Sequence, residues 1–186
     1  MERMATARIT WHDALLMPED MRRYEAIDGD LHVIPAPSRR HQWVVRRLVV
    51  ELDRLLMEPG YGEVYPAPFG VEFPDTEEGV QPDLIFVRRE RLRIIGEDWV
   101  RGAPDLVVEI LSPSTAKKDR GVKLKLYRRK GVAEYWIVDP DERIVDVWDL
   151  TADARHPESH TGRLPVRVGD QVVGHIDLAT VFRRSE

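Results

Sequence analysis

The chain has 186 residues and a formal net charge of -5 at pH 7, with 42% hydrophobic and 33% charged residues. These values are typical of one globular domain with a full-sized core, which we expect to span residues 1–186. The acidic balance argues against a protein that coats nucleic acid over its whole surface. No apolar run approaches the roughly 20 residues that a membrane-spanning helix needs.

The residue types that the chain lacks exclude several kinds of functional site. The chain has no cysteine, which excludes disulfides, thiolate metal sites and cysteine nucleophiles. Because no apolar signal-peptide core precedes the first predicted helix, we expect a cytoplasmic protein. Asparagine is also absent and arginine outnumbers lysine, a mixture that weakly favours a thermophilic source.

Turn, capping and periodicity signals divide the chain into predicted elements. The first half contains, in order, a short helix from Thr10 to Pro18, a β-hairpin of 23–27 and 31–34 around Asp28-Gly29, a long helix from Ser38 to Pro59, strands over 62–65 and 70–73, and a loop over 74–79. The second half contains strands over 80–87 and 103–111, a helix over 116–130, a hairpin of 135–139 and 143–148, an irregular stretch over 149–163 and short strands over 164–168 and 171–173.

Two apolar strands carry carboxylates where a buried strand does not favour them. Asp83 lies in the run 80–87, and Asp105 and Glu109 lie in the run 103–111. An ionised carboxylate in apolar surroundings costs several kcal/mol unless a metal, a cation or several donors compensate it. Our interpretation is that a divalent metal is the partner.

Strand geometry selects among these three acids. At about 3.3 Å per residue, Asp105 and Glu109 lie about 13 Å apart on one strand, too far to share an ion. Adjacent strands are about 5 Å apart, so Asp83 and Glu109 on neighbouring strands are the candidate metal ligands. Asp105 follows Pro104, and we expect it to face solvent. The alternative is that Asp83 and Glu109 lie at strand ends and pair with arginine or lysine.

Helical periodicity places one lysine toward the same region. With Asp119 set at 0°, Lys123 falls at about 40°, between Leu126 and Tyr127, whereas Lys125 falls at about 240° and faces water. An inward lysine needs an anion, and Asp119, one turn earlier, is one candidate. We predict that Lys123 reaches the Asp83 and Glu109 site. The alternative is that its stem packs against the core while the ammonium group escapes to solvent.

Several segments, taken together and in order, carry a resemblance to a known family: Tyr24–Gly29, His41, Gln81–Phe86, Pro104–Ser114, Asp119–Tyr127 and Gly131–Pro140. The chain resembles the PD-(D/E)xK, restriction-endonuclease-like nuclease superfamily, and within it a large bacterial restriction-endonuclease family of mostly unknown biological role. The resemblance implies an α/β fold with a mixed β-sheet flanked by helices, a Mg²⁺ or Mn²⁺ cofactor, and a catalytic site at Asp83 and Glu109. The chain departs from the superfamily motif at Leu111, where a lysine is expected, and the resemblance implies that Lys123 replaces it.

Further site candidates rest on weaker signals. Glu25 matches the family pattern and is a candidate additional acid, although a hairpin glutamate is more often exposed. His41 is a candidate for contacting phosphate or for acting near the site, although a histidine at a helix start more often caps the helix or packs in the core. Basic residues that could track DNA phosphates are Arg39, Arg40, Lys117 and Lys118, and a solvated helix face explains them equally well.

These observations leave three functional hypotheses. The first is a Mg²⁺-dependent DNA endonuclease, with DNA and a second copy of the chain as expected partners and no membrane. The second is an inactive nuclease-fold module that binds nucleic acid or a protein without cutting. The third is an assembly module that uses the hairpin from Tyr135 to Trp148 as an interface.

Overall fold

The computed structural model describes residues 8–18, 20–152 and 154–183. The helices are α1 (Trp11–Leu15), α2 (Arg39–Leu52) with a π-helical turn over Asp53–Met57, a 3-10 helix over Arg89–Ile94, α3 (Ala116–Lys118), a π-helical turn over Asp119–Lys123, α4 (Leu124–Lys130) and α5 (Leu178–Phe182). The strands are β1 (Arg23–Ile27), β2 (Asp30–Ile34), β3 (Gly62–Pro66), β4 (Gly70–Phe73), β5 (Glu78–Val80), β6 (Leu84–Arg88), β7 (Trp99–Arg101), β8 (Leu106–Ile110), β9 (Glu134–Asp139), β10 (Ile144–Asp149), β11 (Glu158–His160), β12 (Arg163–Val168) and β13 (Gln171–Asp177).

A mixed sheet lies at the centre of the fold. Within the described residues it has six strands in the order β11-β10-β9-β8-β6-β3, and β8 and β9 are parallel. A second sheet has the order β2-β1-β5-β4-β7, and β12 pairs with β13. The predicted α/β class with a mixed sheet and an N-terminal hairpin is therefore confirmed.

Two hydrophobic clusters cover the opposite faces of the central sheet. One joins Val44 and Leu48 of α2 to Phe86 and Val108 of the sheet. The other contains residues of β6 and β8 that point the opposite way, and it includes Leu126 of α4 and residues of the second sheet. Successive side chains of a strand point to opposite faces, so the apolar runs supply both clusters at once.

The predicted strand over 80–87 is wrong as a single element. β5 ends at Val80 and pairs with β1 and β4, whereas β6 begins at Leu84 and pairs with β3 and β8. Pro82 separates them because proline has no N–H to donate to a sheet ladder and its ring restricts the backbone. Asp83 therefore lies where the chain passes from one sheet to the other.

Other differences are smaller. The predicted loop over 74–79 ends in β5, the irregular stretch over 149–163 contains β11, and α5 was not predicted. The N-terminal helix ends at Leu15, before Pro18. The two long predicted helices are present with the expected bounds, and each contains a π-helical turn. No helix in the described ranges is long and apolar enough to cross a membrane.

The first strand of the β9–β10 hairpin does not offer the interface that the assembly hypothesis needs. Strand β9 lies inside the central sheet between β8 and β10. Tyr135 and Trp136 are fully buried. These aromatic side chains belong to the core, so they cannot form a docking surface.

Candidate active site

The structure brings two of the predicted acids together by strand pairing. Leu84 of β6 pairs with Val108 of β8, and the antiparallel register therefore places Asp83 beside Glu109. Glu25, on β1 of the second sheet, approaches the same point, and all three side chains are at most 4% exposed. Glu25 is therefore a buried residue, unlike the typical hairpin glutamate.

Lys123 connects two of these carboxylates. Its Nζ donates to Oε1 of Glu109 at 2.8 Å and to Oε1 of Glu25 at 2.9 Å, while Oδ1 of Asp119 lies 3.9 Å away. The lysine ends the π-helical turn, a distortion that is frequent at functional sites. Lys123 is 3% exposed and Lys125 is exposed, so the predicted choice between the two lysines is confirmed.

Asp83 is held by three donors. Arg23 donates to its Oδ1 at 3.0 Å, and the Ile110 N–H and His41 each lie 2.9 Å from its Oδ2. Burial acts to raise the pKa of Asp83, but these hydrogen bonds and the positive charge of Arg23 outweigh it and lower the pKa. The carboxylate is therefore ionised and only accepts, so the Nε2 of His41 donates.

His41 reaches Asp83 from the first turn of α2. Ser38 caps this helix by accepting a hydrogen bond from the His41 backbone N–H at 3.2 Å. Since the cap uses only the backbone of His41, the imidazole side chain can contact Asp83. Its Nδ1 is buried and has no hydrogen-bond partner among the described residues. The imidazole holds a carboxylate, which a cap or a purely apolar packing residue would not do.

Glu109 has an unusual electrostatic environment. Burial raises its pKa to about 8, and the nearby carboxylates of Asp119, Asp83 and Glu25 act in the same direction, against the positive charge of Lys123. Burial also raises the pKa of Asp119 to about 6. Burial acts to lower the pKa of Lys123, but the surrounding carboxylates outweigh it and raise it. Burial of several carboxyl groups around one ammonium group therefore disfavours their full ionisation in the metal-free protein.

The residues present fit a hard divalent ion. Four buried acids, Glu25, Asp83, Glu109 and Asp119, face two cations, Lys123 and Arg23, leaving a formal charge of -2 when all are ionised. Oε2 of Glu25 is buried and has no hydrogen-bond partner in the described part of the chain. Carboxylate oxygens are the ligands that Mg²⁺ and Mn²⁺ favour.

In the described ranges, no three His, Asp or Glu side chains already converge as a metal-holding group. The side-chain contacts given above show why. Lys123 lies between Glu25 and Glu109, and Arg23 lies against Asp83. These two cations hold the acids in the present arrangement.

Asp105 is buried, and the expectation that it faces solvent is wrong. It is 7% exposed and accepts from the Arg88 backbone N–H at 2.9 Å, from Arg88 Nε at 2.7 Å and from Arg91 at 2.7 Å. The 3-10 helix after β6 carries Arg91 over the start of β8, a placement that strand periodicity does not reveal. Asp105 pairs with Arg88 and Arg91 and not with Lys123 or Arg23, so its exclusion from the metal site stays a prediction.

The predicted DNA-contacting residues divide into two pairs. Arg39 and Lys117 are exposed. Arg40 donates to the Pro140 carbonyl and to the Asp141 carboxylate, and Lys118 donates to the Val33 carbonyl at 3.3 Å. The first pair is available to phosphates, whereas the second already has protein partners. A role for any of them in DNA binding stays a prediction.

Sequence reasoning missed two residues that complete the cluster. Tyr127 donates to Oε1 of Glu109 at 2.8 Å, and it lies four residues after Lys123, on the same helix face. Arg23 lies two residues before Glu25 on β1, and a strand period of two places them on the same face. The helical spacing of Tyr127 and the strand spacing of Arg23 are both visible in the sequence. Neither a tyrosine nor an arginine, however, indicates a site built from acids.

Comparison with known proteins gives three findings. The model of the Uma2 family, described as "Putative restriction endonuclease", matches residues 11–175. The crystal structure of a "putative nuclease belonging to DUF820" from Anabaena variabilis ATCC 29413 is similar, with a TM-score of 0.74 and 20% sequence identity, and the match covers 94% of this chain and 97% of that chain. No curated protein matches the chain significantly.

Proposed function

The chain belongs to the Uma2 family of restriction-endonuclease-like proteins, and from this premise we propose that it is a DNA endonuclease dependent on Mg²⁺ or Mn²⁺. Family membership supports a nuclease-like function in general. The metal and the DNA substrate are our proposal. The observation that carries it is the buried cluster in which the ammonium group of Lys123 bridges Glu25 and Glu109, with Asp83 beside Glu109 on the neighbouring strand.

The cluster contains the groups that phosphodiester hydrolysis needs. Asp83 and Glu109 are the proposed metal ligands, and Glu25 is the candidate third acid because its Oε2 lacks a partner among the described groups. A bound divalent ion would polarise the phosphate and lower the pKa of a water molecule. The ammonium group of Lys123 would orient that water or stabilise the charge that develops on the phosphate. His41 fixes the orientation of Asp83 through its hydrogen bond.

The test is DNA cleavage with Mg²⁺ or Mn²⁺ by the wild type and by the near-isosteric variants Asp83→Asn and Glu109→Gln. Glu142→Gln, in the exposed turn between β9 and β10, is the matched control. We expect both site variants to lose at least about 100-fold in rate, as removal of a ligand or of electrostatic stabilisation typically does. Equal rates in all four proteins would refute the proposal.

Two observations favour the second candidate, a nuclease-fold module that binds without cutting. Leu111 occupies the position where the superfamily motif has lysine, and cations already hold the acids in the described part of the chain. This module would bind DNA equally well with and without a chelator and would show no saturable metal binding in a calorimetric titration. Metal-dependent cleavage would exclude it.

A further inference from the structure

Arg23 occupies the edge of the acidic cluster. Its two terminal nitrogens donate to Oδ1 of Asp83 at 3.0 Å and to the carbonyl of Gln81 at 2.8 Å. Its side chain is 17% exposed, whereas those of Asp83 and Lys123 are at most 4% exposed. Arg23 is therefore the cation of the cluster that lies nearest to solvent.

The two oxygens of Asp83 are not equally occupied. Oδ2 accepts from the Ile110 N–H and from His41, whereas Oδ1 accepts from Arg23 alone among the described contacts. An ion that binds Oδ1 has one existing hydrogen bond to replace. An ion that binds Oδ2 disturbs both a strand N–H and an imidazole, so Oδ1 is the more accessible oxygen.

We propose that Arg23 is a resident counter-ion of Asp83 that competes with the divalent ion for this carboxylate. The inference rests on the proposed function, because it assumes that the cluster binds an ion. In the metal-free protein, the guanidinium group compensates a buried charge that would otherwise destabilise the fold. The same positive charge repels an incoming cation. Arg23 therefore stabilises the metal-free protein and weakens its affinity for the metal.

Removing the charge of Arg23 should therefore lower the stability of the metal-free protein and raise its affinity for the metal. Arg23→Met removes the charge but keeps a long side chain, and the formal charge of the cluster becomes more negative by one. We expect the metal-free variant to melt at a lower temperature than the wild type. We also expect it to bind Mn²⁺ at least about tenfold more tightly, which corresponds to about 1.4 kcal/mol.

The experiment is a calorimetric titration of the full chain with Mn²⁺, together with melting curves with and without the ion. Arg22→Met is the matched control, because Arg22 is the adjacent residue, 53% exposed, and pairs with Asp20 outside the cluster. Arg23→Lys keeps the charge and should bind Mn²⁺ with nearly wild-type affinity. Arg23→Gln, which keeps a donor but loses the charge, replaces Arg23→Met if the latter does not fold.

The outcomes separate this inference from the proposed function. Tighter Mn²⁺ binding by the uncharged variants, with Arg22→Met and Arg23→Lys near wild type, supports the competition. Unchanged or weaker binding in a folded uncharged variant overturns it while leaving the proposed function in place, because the wild type still binds the ion. Absence of Mn²⁺ binding in the wild type itself overturns both.

Discussion

Replacing Lys123 by methionine is expected to destabilise the protein strongly, and to do so more at pH 8 than at pH 5. The variant loses two charge-assisted hydrogen bonds, to Glu25 and Glu109, each contributing about 1.5–3 kcal/mol. It also leaves buried carboxylates without their cation, a change that typically costs about 3–5 kcal/mol. Since the two figures describe the same contacts, we expect a loss of about 3–5 kcal/mol.

The pH dependence of this loss follows from the direction of the pKa shifts. The pKa of Lys123 is raised in the folded protein, so the contribution of Lys123 to stability is fully present at every pH below its unfolded value of about 10.4. Without Lys123, the pKa of buried Glu109, already raised to about 8 from 4.5, rises further. Between pH 5 and 8 the folded variant then keeps more protons bound than the folded wild type, whereas the Glu109 carboxyl group titrates identically in the two unfolded chains. The stability lost on replacing Lys123 therefore grows as the pH rises.

Denaturant unfolding of metal-free protein at pH 5 and pH 8 measures this loss, with Lys125→Met as the matched control. Lys125 is exposed and two residues from Lys123, so its replacement should change the free energy of unfolding by less than about 0.5 kcal/mol. In melting experiments the pH 8 difference corresponds to roughly 10 °C for a chain of this length. Equal stability of the two variants at pH 8 would refute the bridging role of Lys123.

Three further predictions concern the site and its support. Because the pKa of Glu109 is about 8 without metal, Mn²⁺ binding at pH 7 should release up to about one proton; titration in buffers of different ionisation enthalpy measures this, and no release would contradict it. Burial acts to raise the pKa of Glu78, but hydrogen bonds from Thr76, the Asp28 N–H, Arg129 and Lys130 lower it to about 2. Glu78→Gln should therefore lower the free energy of unfolding by roughly 1–3 kcal/mol at pH 6. This difference should disappear between about pH 4.5 and 2, because protonation of Glu78 removes its contribution in the wild type; a difference that persists at pH 2 would argue against it. A Cβ on Gly79 would lie 2.2 Å from the Trp11 ring, whereas one on Gly121 would meet nothing within 4 Å. Gly79→Ala should therefore destabilise the protein by roughly 1–3 kcal/mol, and Gly121→Ala should stabilise it by about 1 kcal/mol. Melting temperatures in the reverse order would refute this.

The central acids of the site were predictable because their signals are local. Asp83 and Glu109 interrupt apolar runs, and Lys123 falls on the apolar face of its helix. Each observation depends only on how side-chain directions repeat along one helix or strand. The same reasoning extends to Arg23 and Tyr127, whose spacing from Glu25 and Lys123 places them on shared faces. Their omission reflects residue type, since neither arginine nor tyrosine by itself marks a metal site.

Other features depended on contacts between distant segments. The imidazole of His41 meets Asp83 across 42 positions of sequence, because α2 packs over the central sheet. Asp105 is buried because Arg88 and Arg91 fold over it. The run 80–87 is short enough to be one strand, and its pairing partners show that its two ends belong to two sheets.

The sequence by itself therefore determined the α/β class, the N-terminal hairpin, the inward side of the helix that carries Lys123 and the acids that needed a partner. These properties follow from side-chain periodicity and from the energetic cost of burying a charge, both of which act within one element. Only the tertiary structure decided that Glu25 and Glu109 converge on Lys123, and that Asp83 lies beside Glu109 where Arg23 holds it. Strand order and helix packing determine which elements meet, and those contacts involve segments up to about 100 positions apart.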